Sequence, residues 1–256
     1  MPNLLQIQAL SLSFGGLHAV RDVTLDVRSD EILGLIGPNG AGKTSLINCL
    51  SGLYRPTSGH IRFAGHDLAG QDAWRIRRLG VARTFQNISL ISELSVLDNV
   101  LVGGHSAGAA GYWASVFTWT DRKERALRAD AIALCERLGL ADCLNELPSE
   151  LPYGTQKRIE LARALLHRPD LLLADEPAAG LSHGEVNEFG ELLRELRREM
   201  GLTLILVEHH MGLINAICDR VAVMVSGRLV ALGTPETIRN DAAVRAAYLG
   251  GAGEMA

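Results

Sequence analysis

The sequence is short of the features that mark a membrane span, a nucleic-acid surface or an oxidised scaffold. Aromatic residues make up only 5% of its 256 residues. Leu101 to Thr120 carries no Asp, Glu, Lys or Arg, and its ~20 residues are about the length of a spanning helix. Gly103, Gly104, His105, Ser106, Gly108 and Gly111 break its apolar character, so a transmembrane helix is not expected. Positive charge is not in excess: 25 Lys and Arg against 29 Asp and Glu give a net charge of −4, which offers no basic field to DNA or RNA. The four cysteines (Cys49, Cys135, Cys143, Cys218) lack C-x-x-C spacing, which argues against a disulfide framework or a zinc site and fits a reducing compartment. Met1 to Gln6 has no basic region ahead of an apolar run, and no signal peptide is expected.

What is present is ordinary in bulk and specific in detail. With 47% hydrophobic and 21% charged residues, the chain reads as globular, and its length suits one large domain or a core with a subdomain. Leu4–Leu10 and Val23–Val27 alternate like strands, and Glu31–Ile36 reads as a buried strand running into a glycine-rich loop. Lys43–Leu50 reads as a helix and His60–Ala64 as a short strand. Ser95–Asp98 opens a helix, and Asp121-Arg122-Lys123-Glu124 forms a capping box for another reaching about Leu138. Further on, Leu171–Asp175 and Leu202–Val207 read as buried strands. Between them Ser182–Glu185 caps a helix whose apolar positions Val186, Phe189, Leu192, Leu193, Leu196 and Met200 lie on one face. Val221–Val225 with Gly227 begins a hairpin, and residues 250–256 are expected to fray.

The glycine-rich loop carries the first chemistry. Gly37-Pro38-Asn39-Gly40-Ala41-Gly42-Lys43-Thr44 lies between a strand and a helix, as a phosphate-binding loop requires. Its glycines let backbone N–H groups approach phosphate oxygens, and the helix turns its positive end towards the anion. Lys43 would meet the β- and γ-phosphates, and Thr44, followed by Ser45, offers a hydroxyl to Mg2+. A chance glycine turn is the bland reading, and the strand–loop–helix context disfavours it. The loop alone does not choose among kinases, GTPases and ATPases. A second element is Leu171–Asp175 with Glu176 and Pro177, which places two carboxylates at the carboxyl end of a buried strand, where ligands of open α/β sheets bind. Asp175 is a candidate Mg2+ ligand and Glu176 a candidate general base for water, against the alternative of an exposed acidic turn.

A second glycine motif, Leu151-Pro152-Tyr153-Gly154-Thr155-Gln156-Lys157-Arg158, opens a helix with no strand before it. With the phosphate loop and the acidic strand, it makes nearly the whole chain resemble an ATP-binding-cassette (ABC) ATPase. The resemblance implies an α/β P-loop NTPase core with an antiparallel β subdomain, built from residues 1–87 and 168–256, and an inserted helical subdomain over 88–167 that carries the signature. It implies binding of ATP and Mg2+ at Gly37, Asn39, Gly40, Ala41, Gly42, Lys43, Thr44 and Ser45. By the same resemblance Phe14 stacks on adenine with Val20 beside it, Gln86 touches the metal, and His209 contacts the γ-phosphate. The bland readings are a strand core residue for Phe14 and a loop amide for Gln86. The adjacent His210 competes with His209 but stands where the family usually has Asp. Tyr153 and Gly154 would meet a nucleotide held by a second subunit. Thr44, Gln86 and Asp175 form the implied metal set, and Glu176, His209, Lys43 and Gln86 the catalytic one.

Four positions depart from the family pattern. Pro152 stands for the usual Ser of the signature, Tyr153 and Thr155 replace its first Gly and its Gln, and Ser182 replaces an Asp after the acidic strand. Together with Glu176–Leu181, Glu208-His209 and Ala247–Gly250, these departures resemble the ATPases of bacterial branched-chain amino acid importers, whose relatives serve urea or other small amides. That implies permease subunits in the membrane, a head-to-tail dimer with an identical chain or a paralogue, and indirect service to a periplasmic binding protein. It also implies a peripheral place on the cytoplasmic face of the inner membrane, with no nucleic-acid partner. Tyr112, Trp113, Phe117 and Trp119 crowd one uncharged segment and suit either docking to a permease or the subdomain's own core. The alternatives from other classes fit less well. A GTPase lacks its Asn-Lys-x-Asp motif, and a soluble ABC protein of DNA or ribosomes usually has two cassettes or a coiled coil. An inactive cassette is disfavoured because Lys43, Asp175, Glu176 and His209 are all present.

Overall fold

The structure is a computed structural model and describes residues 3–86, 88–104, 121–242 and 244. The aromatic cluster Tyr112, Trp113, Phe117 and Trp119, Asn87, and residues 247–256 lie outside the described residues. So do the side chains of Asp121 and Arg122, and with them the first half of the expected capping box.

Two sheets and a set of helices organise around the apolar strands. The antiparallel sheet takes β1 (Asn3–Phe14), β2 (Leu17–Arg28), β4 (Ser58–Phe63) and β5 (His66–Asp67) in the order β2-β1-β4-β5. The larger sheet contains β3 (Ile32–Ile36), β6 (Val81–Thr84), β7 (Leu171–Asp175), β8 (Thr203–Val207), β9 (Arg220–Val225) and β10 (Arg228–Gly233). Its order is β10-β9-β3-β8-β7-β6, parallel throughout except where β10 closes a hairpin on β9. Every residue of β3, β7 and β8 is buried, as continuous apolar strands covered on both faces must be.

Alternation along these strands feeds two cores. Leu33, Leu35, Leu171, Leu173, Ile205 and Val207 pack towards the antiparallel sheet and α1 (Lys43–Leu50). Ile32, Ile36, Leu172, Leu204 and Leu206 pack on the opposite face. That second core collects α3 (Val96–Gly104), α4 (Asp121–Arg137), α5 (Tyr153–Leu165), α6 (His183–Met200) and α7 (Met211–Ile217). α6 buries Val186, Phe189, Leu193 and Leu196 on its expected face. Its start is a complete capping box between Ser182 and Glu185, and it ends at Gly201 with φ 64°.

The structure adds elements that periodicity did not reveal: α2 (Ala73–Arg78), β6, α7 and α8 (Pro235–Asn240). Each is short. β6 carries Arg83 in its middle because that side chain reaches a buried acid, and α7 contains Gly212 and depends on burial of Leu213, Ile214 and Ile217.

α3 and α5 come together backbone to backbone. A Cβ on Gly103 would lie 2.1 Å from the carbonyl oxygen of Arg163. Gly103→Ala is therefore expected to destabilise the chain by about 1–3 kcal/mol through overpacking. Urea unfolding measures this, and an unchanged midpoint would show that the helices tolerate a wider spacing.

Candidate nucleotide site at the strand ends

The loop after β3 owes its shape to two close backbone approaches. A Cβ on Gly37 (φ +152°) would lie 2.1 Å from the carbonyl oxygen of Met224, and one on Gly42 (φ +99°) would lie 2.3 Å from that of Ala19. Ala41 N–H donates to Pro38 O at 3.1 Å, and Gly227 N–H donates to Ala41 O at 2.9 Å, so the loop is braced from within and from the β9–β10 hairpin. α1 starts at Lys43 with Gly42 as its N-cap and no side-chain cap, which leaves its first-turn N–H groups for a ligand. Lys43 is buried, and its Nζ donates to Gly37 O at 2.6 Å and Pro38 O at 3.2 Å. Burial holds its amine below the ordinary value, while Glu176 and Asp175 pull it upward. Asn39, Gly40 and Thr44 are exposed, Ser45 is half-buried and Ala41 is buried.

β7 delivers its two carboxylates to different surroundings. Asp175 is buried, and its Oδ2 lies 3.0 Å from the Arg83 guanidinium. Burial pushes its carboxyl up and Arg83 pulls it down. Arg83 also donates to Asn48 Oδ1 at 2.5 Å and Ser51 Oγ at 3.0 Å, and its guanidinium sits 4.9 Å from the Phe85 ring centre. Glu176 follows the strand in the left-handed region, φ 50°, with its N–H donating to Val207 O at 2.9 Å. Its Oε1 lies 2.9 Å from His209 Nε2, and its Oε2 accepts from Gln86 Nε2 at 2.6 Å. His210 is used differently: its Nδ1 accepts from Leu213 N–H and caps α7. The structure thus brings Lys43, Asp175, Glu176, Gln86 and His209 to one edge and gives His210 a capping task.

The remaining expected residues sit at the margins. Phe14 is exposed and meets Tyr54 edge-on with ring centres 5.2 Å apart, while Val20 is fully buried in the core under the antiparallel sheet. Tyr153 and Gly154 open α5 and face the loop after β7. The Tyr153 ring lies where a Cβ on Gly180 would come within 2.9 Å, and a Cβ on Gly154 would meet Glu185 at the same distance. Sequence reasoning missed the side chains that hold this edge together. Lys157 is buried and donates to Gln86 O at 3.0 Å, Glu160 accepts from Phe85 N–H at 3.1 Å, and Glu208 accepts from Ala178 N–H at 2.8 Å. Of the three, only Glu208 carried a local signal, since it directly follows the apolar run Leu204–Val207; Lys157 and Glu160 follow no such run. A cavity of about 350 Å³ opens beside Phe85, lined among others by Ile76, Arg77, Arg83, Val102 and Arg163.

The oxygen donors Thr44, Gln86 and Asp175 are of the hard type that Mg2+ selects, and they fit that ion. Among the described residues there is no group of three or more His, Cys, Asp or Glu that could hold a metal ion by itself. A glycine loop, a bare helix start and an acidic strand end beside it define the nucleotide site of a P-loop NTPase.

Comparison with known proteins narrows the class. A family model described as ABC transporter matches residues 20–179, and one described as branched-chain amino acid ATP-binding cassette transporter matches 228–254. The chain is 44% identical over 249 residues to the high-affinity branched-chain amino acid transport ATP-binding protein LivG of Salmonella typhimurium, covering 96% of this chain and 98% of that protein. It is 41% identical, at the same coverage, to the corresponding protein BraF of Pseudomonas aeruginosa. Among solved structures, the ADP conformation of an ATP-binding cassette of an ABC transporter superposes with a TM-score of 0.87 at 28% identity, covering 98% of this chain and all of that one. A nucleotide-free cassette gives 0.86 at 28% identity, covering 99% of this chain and all of that one. The chain belongs to the ABC transporter family as an ATP-binding subunit, an ATPase that works with permease partners and as a dimer. No helix among the described residues is long and apolar enough to cross a membrane.

Arg83 anchors the acidic edge through a pair whose side chains are 9% and 4% exposed. Arg83→Met would strand the buried Asp175 carboxylate and is expected to cost about 3–5 kcal/mol of stability. Denaturant unfolding reads the loss. A variant within about 1 kcal/mol of the parent would show that the pair contributes little.

Proposed function

We propose that this chain powers import of branched-chain amino acids by hydrolysing ATP at Glu176, and that residues 1–87 and 168–256 form the nucleotide-binding core while 88–167 form the helical subdomain. The observation that carries the chemistry is the suspension of Glu176 between Gln86 and His209 at the strand edge beside the phosphate loop. Lys43 leaves the carbonyls of Gly37 and Pro38 for the β- and γ-phosphates when ATP enters, and the backbone of Gly37–Ser45 holds the phosphate oxygens. Thr44, Gln86 and Asp175 hold Mg2+, which when bound neutralises phosphate charge. Glu176 takes the proton of the attacking water, and His209 keeps the carboxylate turned towards the γ-phosphate. Phe14 stacks on the base at the rim, with Val20 supporting the strand behind it.

The second half of the site comes from a partner ATPase, an identical chain or a paralogue arranged head to tail. Tyr153, Gly154 and the start of α5 present their N–H groups to the nucleotide of that partner, so ATP clamps two chains and hydrolysis releases them. Gln86 and the following helical segment face the permease, and the cavity beside Phe85 is where such a contact can reach the acidic edge. This places the chain on the cytoplasmic face of the inner membrane, served indirectly by a periplasmic binding protein. The substrate assignment rests on the names borne by its relatives.

Two experiments test this. Glu176→Gln is expected to lower phosphate release by about 10²–10⁴-fold while retaining ATP and yielding an ATP-dependent dimer on size-exclusion chromatography. Turnover at the parental rate would remove Glu176 from the base role. Deletion of the gene should abolish high-affinity uptake of labelled leucine but spare labelled urea; the reverse pattern would move the assignment to the small-amide importers.

A further inference from the structure

One buried acid stands outside the hydrolytic chemistry. Glu208 follows β8 directly and is only 4% exposed. Among the described residues, no Lys or Arg figures in its electrostatic surroundings. Its oxygens are taken by backbone donors instead: Oε1 accepts from Ala178 N–H at 2.8 Å, Oε2 accepts from His209 N–H at 3.2 Å, and His210 N–H contributes as well. Burial pushes the carboxyl up, these N–H groups pull it down, and nearby Glu176 raises it further.

The donors come from two loops that are separate in sequence. Ala178 belongs to the turn after β7, two residues beyond Glu176, and His209 and His210 belong to the turn after β8. The turn after β7 also meets the end of β8, through Glu176 N–H to Val207 O at 2.9 Å, and the turn after it, through His209 Nε2 to Glu176 Oε1 at 2.9 Å. A closed ring results, running Glu176–His209–Glu208–Ala178 and back along the chain. The ring ties His209 through its own backbone N–H and Glu176 through the backbone of Ala178, two residues further on. Glu176 sits in the left-handed region, φ 50°, and a residue held there depends on its surroundings.

We infer that Glu208 is a positioning residue for ATP hydrolysis: its carboxylate clips the loop after β7 to the loop after β8 and thereby sets the distance between Glu176 and His209. A neutral amide cannot serve in its place. The side chain introduced by Glu208→Gln offers a single acceptor oxygen, and its NH2 would face a backbone N–H, so one of the two loops is released. Misplacement of reacting groups by about 1 Å is worth on the order of 10²-fold in rate.

This inference rests on the reading of Glu176 and His209 as the hydrolytic pair, and the test separates the two. ATPase activity of the full chain is measured for Glu208→Gln, Glu208→Asp, His209→Ala, Glu208→Gln with His209→Ala, and Glu176→Gln. Glu208→Gln is expected to lower kcat by about 10–100-fold with KM for ATP changed less than about threefold, because the interaction matters to the transition state and not to nucleotide binding. In the His209→Ala background the same substitution should lower kcat by less than about threefold, since the contact it sets is already gone. Glu208→Asp keeps the charge but withdraws both oxygens by a methylene, and it should lose kcat in the same direction. A folded Glu208→Gln with parental kcat, a loss confined to KM, or a full additive loss on His209→Ala overturns the inference. If Glu208→Gln does not fold, a folded Glu208→Asp with parental kcat overturns it, and if neither folds Glu208 is a determinant of the fold and the inference also falls. Parental turnover in Glu176→Gln would instead sink the underlying reading.

Discussion

Everything at this site depends on backbones brought closer than a side chain permits. Gly37 lies against the carbonyl of Met224 and Gly42 against that of Ala19, so the phosphate loop is wedged between the β9–β10 hairpin and the antiparallel sheet. A loop of polar N–H groups turned towards a ligand is unstable by itself, because those groups find no partner within the chain. Here the wedge supplies the missing rigidity: Gly227 donates into the loop at Ala41 and accepts from Arg21 of β2. Lys43 completes the brace by reaching back to Gly37 and Pro38. The antiparallel sheet, which contributes no group to hydrolysis itself, is therefore one wall of the loop, and its packing on Leu33, Leu35 and α1 is what keeps that wall in place.

Legibility in the sequence followed the range of the interaction. The phosphate loop, the acidic strand end and the capping box at Ser182 are contiguous motifs, and their residues already stand in order along the chain. β3, β7 and β8 were readable because burial on both faces demands unbroken apolar runs. The clasps between these elements were not readable. Arg83 meets Asp175 across 92 positions, Lys157 meets Gln86 across 71, and Glu208 meets Ala178 across 30. Apart from the place of Glu208 directly after an apolar run, nothing local distinguishes such a residue from a charge on a solvated face. The choice between His209 and His210 shows the boundary well. Register after the strand favoured His209, and geometry shows that His210 is otherwise engaged: its ring nitrogen accepts from the first-turn N–H of Leu213, where an Asp side chain could do the same.

The departures from the family pattern acquire a physical sense together. Ser182 closes a capping box with Glu185, through both its hydroxyl and its N–H. Tyr153, where a glycine is usual, lays its ring on Gly180, and the Lys157 ammonium lies 5.6 Å from the centre of that ring. The loop after β7 is thus held against α5 within one chain. An aromatic ring at the first turn of α5 also fixes how far the N–H groups there can turn, since they move only as the whole contact moves.

That contact joins the two halves of the proposed machinery. α5 holds the strand-end segment through Lys157 to Gln86 and Glu160 to Phe85, and it holds the loop after β7 through Tyr153. Gln86 in turn is bonded to Glu176, which lies at the start of the same loop. α5 is therefore linked to Glu176 by two routes, one through the side-chain amide of Gln86 and one through the backbone of the loop after β7. One route ends on the Glu176 carboxylate itself and the other on Gly180, four residues further along the same loop. On the reading proposed here, a partner that pulls on the cavity beside Phe85 changes the geometry of hydrolysis, and a nucleotide that captures Gln86 changes the shape of the cavity. Between the two binding events such coupling is reciprocal by linkage, whereas its effect on the rate of hydrolysis need not be.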